Sequence, residues 1–188
     1  MPEMSESEMG NPQVTQIEIA WLAGIWDGEG TISVRRNKKI NQFSPRVTMV
    51  NTNAAIIRKV ADILTRMGIG HYLREKGEGG FSGSSRQCWI VSIETLEGAK
   101  QFLKNVRPLL VGKTYQAELL EMFVRSRISR RSLVTRNSEC RYSEDELDAV
   151  TLLYRANGDQ RGTSETVREA SANNRVMIQS TALETGAI

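Results

Sequence analysis

The chain has 188 residues, 39% of them apolar, enough material for one folded domain with its own core. Glu3, Glu6 and Glu8 all fall in the first twelve residues, so residues 13–188 carry 25 Lys and Arg against 19 Asp and Glu, a net +6. No stretch approaches the roughly 18 consecutive apolar residues of a membrane span, the acidic start lacks a secretory pattern, and a single His71 argues against chemistry built on several histidines.

These features predict an intracellular protein whose Cys88 and Cys140 are reduced thiols. The remaining catalytic groups are carboxylates, lysines and arginines.

Residues 1–12 are polar, bear Pro and Gly, and read as a disordered tail. Thr15-Gln16-Ile17-Glu18 is a capping box, which opens a helix from about Gln16 to Trp26 that Gly28 and Gly30 stop. Alternation over Thr31–Lys39 and Phe43–Val50 predicts a hairpin with one polar, basic face. Ile56, Ile57, Val60, Ile63, Leu64 and Met67 have helical spacing over Ala54–Met67, with Gly68 as the stop.

A second strand pair, His71–Lys76 and Gln87–Ile93, spans a Gly/Ser-rich loop. Helices follow at Leu96–Val106, ended by Pro108, at Tyr115–Ile128, at Ser143–Ala156 before Gly158, and at a short stretch from Thr163. The layout predicts an α+β fold, αββαββα with a four-stranded antiparallel saddle and extra C-terminal helices. It forms a single domain over 13–175, with its core at about 15–128, C-terminal helices at about 143–175 and a weakly ordered tail at 176–188.

Residues 31–86 hold 11 Lys and Arg against Asp62, Glu75 and Glu78, a local +8, which marks the four-strand region as the seat of a polyanion. Alternation places Ser33, Arg35 and Asn37 on one side of the first strand, and Tyr72, Arg74 and Lys76 together on a later one. Such side chains on a twisted saddle reach base edges in a major groove and phosphates beside it. With Lys39, Arg46, Thr48 and Arg86 they make up the expected DNA-binding set.

The sharpest segment is Leu22-Ala23-Gly24-Ile25-Trp26-Asp27-Gly28-Glu29-Gly30. Ala20, Gly24 and Gly28 recur every four residues, so one stripe of the helix has almost no side chain and a second helix backbone could approach it closely. Two such helices, packed side by side, bring two Glu29 carboxylates together at their negatively polarised C-terminal ends. That arrangement calls for divalent cations. Hard oxygen ligands without His or Cys favour Mg²⁺, which activates water and stabilises the leaving oxygen in phosphodiester hydrolysis. The plain alternative is that Asp27-Gly28-Glu29-Gly30 only ends a helix with solvated acids.

This segment resembles the nine-residue signature of the LAGLIDADG homing endonucleases, with Ile25 for Leu, Glu29 for the second Asp, and Trp26 at a position usually aliphatic. The resemblance implies that Glu29 holds metal, with the Gly28 carbonyl as a further ligand, while Asp27 caps a turn or the partner helix. It assigns Ala20, Gly24, Asp27 and Gly28 to a dimer interface. Arg107-Pro108-Leu109-Leu110-Val111-Gly112-Lys113-Thr114-Tyr115-Gln116-Ala117 is similar to the family's P-x-L-x-x-K-x-x-Q-A segment, which makes Lys113 a catalytic residue. A cation there would lower the pKa of the attacking water and offset transition-state charge.

The family's polar residue at the end of the second strand falls best on Asn51, with helix capping by Asn51 or Asn53 as the equal alternative. Gly162–Arg168 resembles the start of a C-terminal helix lying against the DNA backbone, where Arg161 and Thr163 would meet phosphate.

A single copy of the motif supplies one carboxylate, and the chemistry needs a pair, so the chain is expected to form a homodimer on an approximately palindromic double-stranded DNA. The resemblance extends this to a long target site, cutting of both strands, and intron homing, in the cytoplasm or nucleoid of a bacterium or phage-infected cell or in an organelle matrix. Mg²⁺ is the expected cofactor, Mn²⁺ a substitute, and Ca²⁺ a support for binding without cleavage. Two alternatives stay open on the same scaffold: a catalytically inactive DNA-binding regulator, and an intron RNA maturase that would use the six arginines of Arg125–Arg141. A helix-turn-helix in the C-terminal third is disfavoured by its long connection, Asn157–Thr163.

Overall fold

The computed structural model describes residues 13–39, 42–76, 87–130 and 142–158. Their order is α1 (Gln16–Glu29), β1 (Gly30–Asn37), β2 (Gln42–Asn51), α2 (Ala54–Arg66), β3 (Tyr72–Lys76), β4 (Cys88–Ile93), α3 (Leu96–Val106), a 3-10 turn (Arg107–Leu109), α4 (Thr114–Arg130) and α5 (Glu144–Ala156). The strands form one antiparallel sheet in the order β1-β2-β4-β3. This is the expected α+β layout. The short helix expected from Thr163 lies outside the described residues, as do Arg86, Arg161, Thr163 and Cys140. No helix among the described residues is long and apolar enough to cross a membrane.

Strand alternation divides the sheet into two faces. Ile32, Val34, Phe43, Val47, Met49, Val91 and Ile93 are buried against the helices. The opposite face is mostly bare, with Arg35, Arg46, Tyr72 and Arg74 exposed on it. On the helical side, Ile57, Val60, Ile63 and Leu64 of α2 join Phe102, Leu103 and Val106 of α3 and Leu120, Phe123 and Val124 of α4 in a single core.

Helix α1 continues three residues beyond the expected Trp26, and its two glycines do not stop it by left-handed turns. Gly30 has φ −83° and is already extended; the described glycines with positive φ are Gly68 and Gly158, at the ends of α2 and α5. What position 30 requires is space. A Cβ there would collide with the Trp26 indole ring, which is fully buried and packs on Phe102 at 4.7 Å between centroids.

The C-terminal part supports the first hairpin from behind. The Phe43 N–H donates to the Tyr142 hydroxyl at 2.6 Å, and Asn157 Nδ2, at the end of α5, donates to the Ile32 carbonyl at 3.0 Å. Glu146, readable from sequence only as a helix-opening acid, is fully buried. It accepts from Ser126 Oγ at 2.8 Å and Arg130 at 3.1 Å, while Arg127 lies over the Tyr142 ring at 4.7 Å. Two arginines of the run counted toward RNA binding are therefore engaged inside the α4–α5 contact.

Candidate functional site

Everything chemical in the nonapeptide meets at the C-terminal end of α1. The Gly30 N–H is the last to bond back into the helix, onto the Trp26 carbonyl, so later carbonyls need partners elsewhere. Lys113 provides one: its Nζ donates to the Asp27 carbonyl oxygen. Asp27 returns the service, its carboxylate accepting from the Val111 N–H at 2.7 Å and the Lys113 N–H at 3.0 Å just ahead of α4. Each segment thus caps the other.

Partial burial opposes the charge on Asp27, but the N–H groups of Val111, Gly112 and Lys113 and the Lys113 ammonium outweigh it and hold the carboxyl below the usual carboxylate range. The two acids stand in different surroundings. Asp27 is half-buried and committed within its own chain, whereas Glu29, two residues on, is exposed.

Ala20, Gly24 and Gly28 are all exposed, and nothing lies within 4 Å of where a Cβ would stand on either glycine. With Ile17, 81% exposed, they form a smooth stripe along α1. Asp27 stands apart from that stripe, because its side chain turns inward to residues 111–113.

Among the described residues no three His, Cys, Asp or Glu side chains gather at one place. The donors present, one exposed carboxylate and the carbonyls at a helix end, are of the kind that suits a hard cation.

Asn51 has a local role. Its Oδ1 accepts from the Asn53 N–H at 2.8 Å, and Asn53 in turn caps α2 through the Ala55 N–H at 2.9 Å. Asn51 also shares strand parity with the core-facing Val47 and Met49, not with the bare face.

On the bare face the register aligns Ser33 with Arg46 and Arg35 with Ser44, and the row Thr31, Thr48, Ser92, Tyr72 crosses all four strands. Arg35, Asn37, Lys39, Arg46, Tyr72 and Arg74 are exposed as expected, Ser33 is half-buried, and Lys76 ends β3. Thr48 is a correction. It has the right parity but is only 6% exposed, because β2 is a central strand with neighbours on both sides, so it is not a contact residue.

The local +8 is also less concentrated than the count implies. Arg58 and Lys59 lie on α2, behind the sheet, with Lys59 over the Trp21 ring, and Arg66 pairs with Glu18 and Asp62. Sequence counting missed Glu94, whose carboxylate lies 3.9 Å from Arg35.

The family model for a LAGLIDADG-like domain matches residues 16–107. No curated protein matches the sequence. Among solved structures, the homing endonuclease I-CvuI in complex with the I-CreI target in the presence of Mg, its DNA not cleaved, superposes with a TM-score of 0.58 at 18% identity, covering 85% of this chain and 95% of that one. The same enzyme with its own target in the presence of Ca gives 0.56 at 18% identity, again with 85% and 95% coverage. The group I intron-encoded homing endonuclease I-CeuI complexed with DNA gives 0.50 at 17% identity, covering 82% of this chain and 72% of that one. At such identities the likeness establishes the fold.

Proposed function

We propose that this chain, whose residues 16–107 match the LAGLIDADG-like domain model and which has the fold of the homing endonuclease structures, is a site-specific, metal-dependent DNA endonuclease working as a homodimer. The observation that carries this reading is the exposed Glu29 carboxylate at the end of a bare helix stripe, with Lys113 fixed at the same helix end.

Two copies meeting along Ala20, Gly24 and Gly28 place two Glu29 side chains at one junction on a two-fold axis. The stripe is smooth enough for backbone contact, and Ile17 adds apolar area at its far end. Each Glu29, with the Gly28 carbonyl, would hold one side of a shared divalent cation, Mg²⁺ or Mn²⁺. When bound, that cation supplies an acidic water and charge to stabilise the leaving oxygen. Lys113 provides a fixed positive charge beside the scissile phosphate, and Asp27 acts as a positioning residue by holding the Lys113 segment. The bare sheet face, with Arg35, Arg46 and Arg74, grips the duplex on either side of the junction.

The test is to incubate the protein and Glu29→Gln with a randomised duplex library in Mg²⁺ or Ca²⁺, sequencing what is bound and what is cut. Binding in Ca²⁺ by both proteins and two-strand cutting in Mg²⁺ by the wild type alone is the expected result, with the variant slowed by about 10³-fold or more. Specific binding without cutting would make the chain a DNA-binding regulator. No duplex binding would turn attention to intron RNA.

A further inference from the structure

The bare face of the sheet changes chemistry along its length. At the hairpin tip it carries Asn37 beside Gln42 and Arg35 beside Ser44, all able to donate or accept hydrogen bonds. Where α1 runs into β1 the same face carries an apolar pair: Val50, one residue beyond the Gly30–Met49 pair, stands directly opposite Ile90. On β3 the exposed Arg74 stands directly opposite Ile90, and Tyr72 lies diagonally across from it.

Val50 is 36% exposed and Tyr72 57%, while Ile90, on the strand between theirs, is buried. Val50 is the exposed aliphatic side chain of this face among the described residues and lies outside the core. It sits at the end of the face nearest Glu29.

In a major groove the base edges present donors and acceptors, with one apolar exception, the C5-methyl of thymine. An isopropyl group pressed against any other edge leaves that edge's polar groups without partners, which is costly. Against a thymine methyl it loses nothing and buries apolar surface on both sides. We infer that Val50, backed by Ile90, is a specificity-determining residue that selects thymine at the position of each half-site lying under the Glu29 end of the sheet. This rests on the reading of the bare face as a duplex DNA interface. The half-site is thus read by methyl contact near the junction and by hydrogen bonds farther out.

The experiment starts from the wild-type protein and duplexes selected from a random library in Ca²⁺. Each thymine of the selected site, with its symmetry mate, is replaced by deoxyuridine, which deletes only the methyl group. One symmetric pair should respond, with binding about fourfold weaker for each methyl removed. That response should disappear in Val50→Ser and shrink in Val50→Ala, with circular dichroism confirming that both variants fold.

A site with no uridine-sensitive thymine, or a sensitivity unchanged in both variants, overturns the inference and leaves the DNA reading intact. The uridine scan on the wild type decides this even if a variant fails to fold. Failure to select any duplex would instead remove the reading on which the inference rests.

Discussion

Helices α1 and α2 are nearly equal in length, 14 and 13 residues, and are linked by the Glu18–Arg66 ion pair, yet their outer faces have nothing in common. Helix α2 buries Ile57, Val60, Ala61, Ile63 and Leu64 and turns Arg58, Lys59 and Asp62 to solvent. It is complete within one chain. Helix α1 buries Leu22, Ala23 and Trp26 but turns outward Ile17, Ala20, Gly24 and Gly28.

Two glycines inside an exposed helix weaken it by about 1 kcal/mol each relative to alanine, and here the space beside both is open. Among the described residues nothing packs on those two glycines. The proposed homodimer would place a second α1 there. In the proposed reading, the helix with a charged outer face is complete in one chain and the helix with a bare outer face is the one that takes a partner.

The largest effect should come from cutting into the finished helix. Leu64→Ala removes a fully buried side chain and should cost about 2–5 kcal/mol in urea denaturation, with no specific effect on DNA preference. Next is the α1–β1 junction. Gly30→Ala forces a Cβ against the buried Trp26 ring and should cost about 1–3 kcal/mol; much of this should be regained in the Trp26→Leu background, and a loss unchanged there would point away from the ring.

Asp27→Ala removes the acceptor for two N–H groups ahead of α4 and should cost about 0.5–2 kcal/mol, whereas Glu29→Ala, exposed and making no such bonds, should stay within about 0.5 kcal/mol of wild type. Equal losses from the two acids would erase the distinction between them.

Gly24→Ala sharpens the comparison most, because its two effects have opposite signs. The isolated chain should gain about 0.4–1 kcal/mol, while sedimentation should show weaker self-association. A stabilised variant that associates as well as wild type would remove the stripe from the interface.

The smallest effect is the pH dependence of the α1–α2 link. The Arg66 guanidinium and the Thr15 N–H lower the Glu18 carboxyl from 4.5 to about 2. A depressed acid contributes stability that is present above its unfolded pKa and lost as pH falls through the folded one. The melting temperatures of wild type and Glu18→Gln should therefore differ at neutral pH and converge between about pH 4.5 and 2.

The order of elements was legible in the sequence because each carries a local signal. The capping box at Thr15, the helix start at Ser143 and the glycines Gly68 and Gly158 mark helix ends within a few residues of the observed ones. The site was legible through its motif: the positions of Glu29, Lys113 and the small-residue stripe follow from spacing and resemblance. Where the reading failed, the missing information was non-local. Thr48 has the alternation of a surface residue, but its burial depends on β2 being central, which is a matter of strand order.

Composition, capping and periodicity by themselves determined the elements and their order, since those depend on interactions within a few residues, and the nonapeptide's resemblance marked out the candidate site. Only the tertiary structure decided that Asp27 and Lys113, 86 positions apart, cap each other's segments, that Trp26 rather than backbone φ requires Gly30, and that Arg127 and Arg130 are engaged with Tyr142 and Glu146. Each of these pairs residues distant in sequence or places a ring over a backbone, and such contacts exist only once the core has brought the helices and the sheet together.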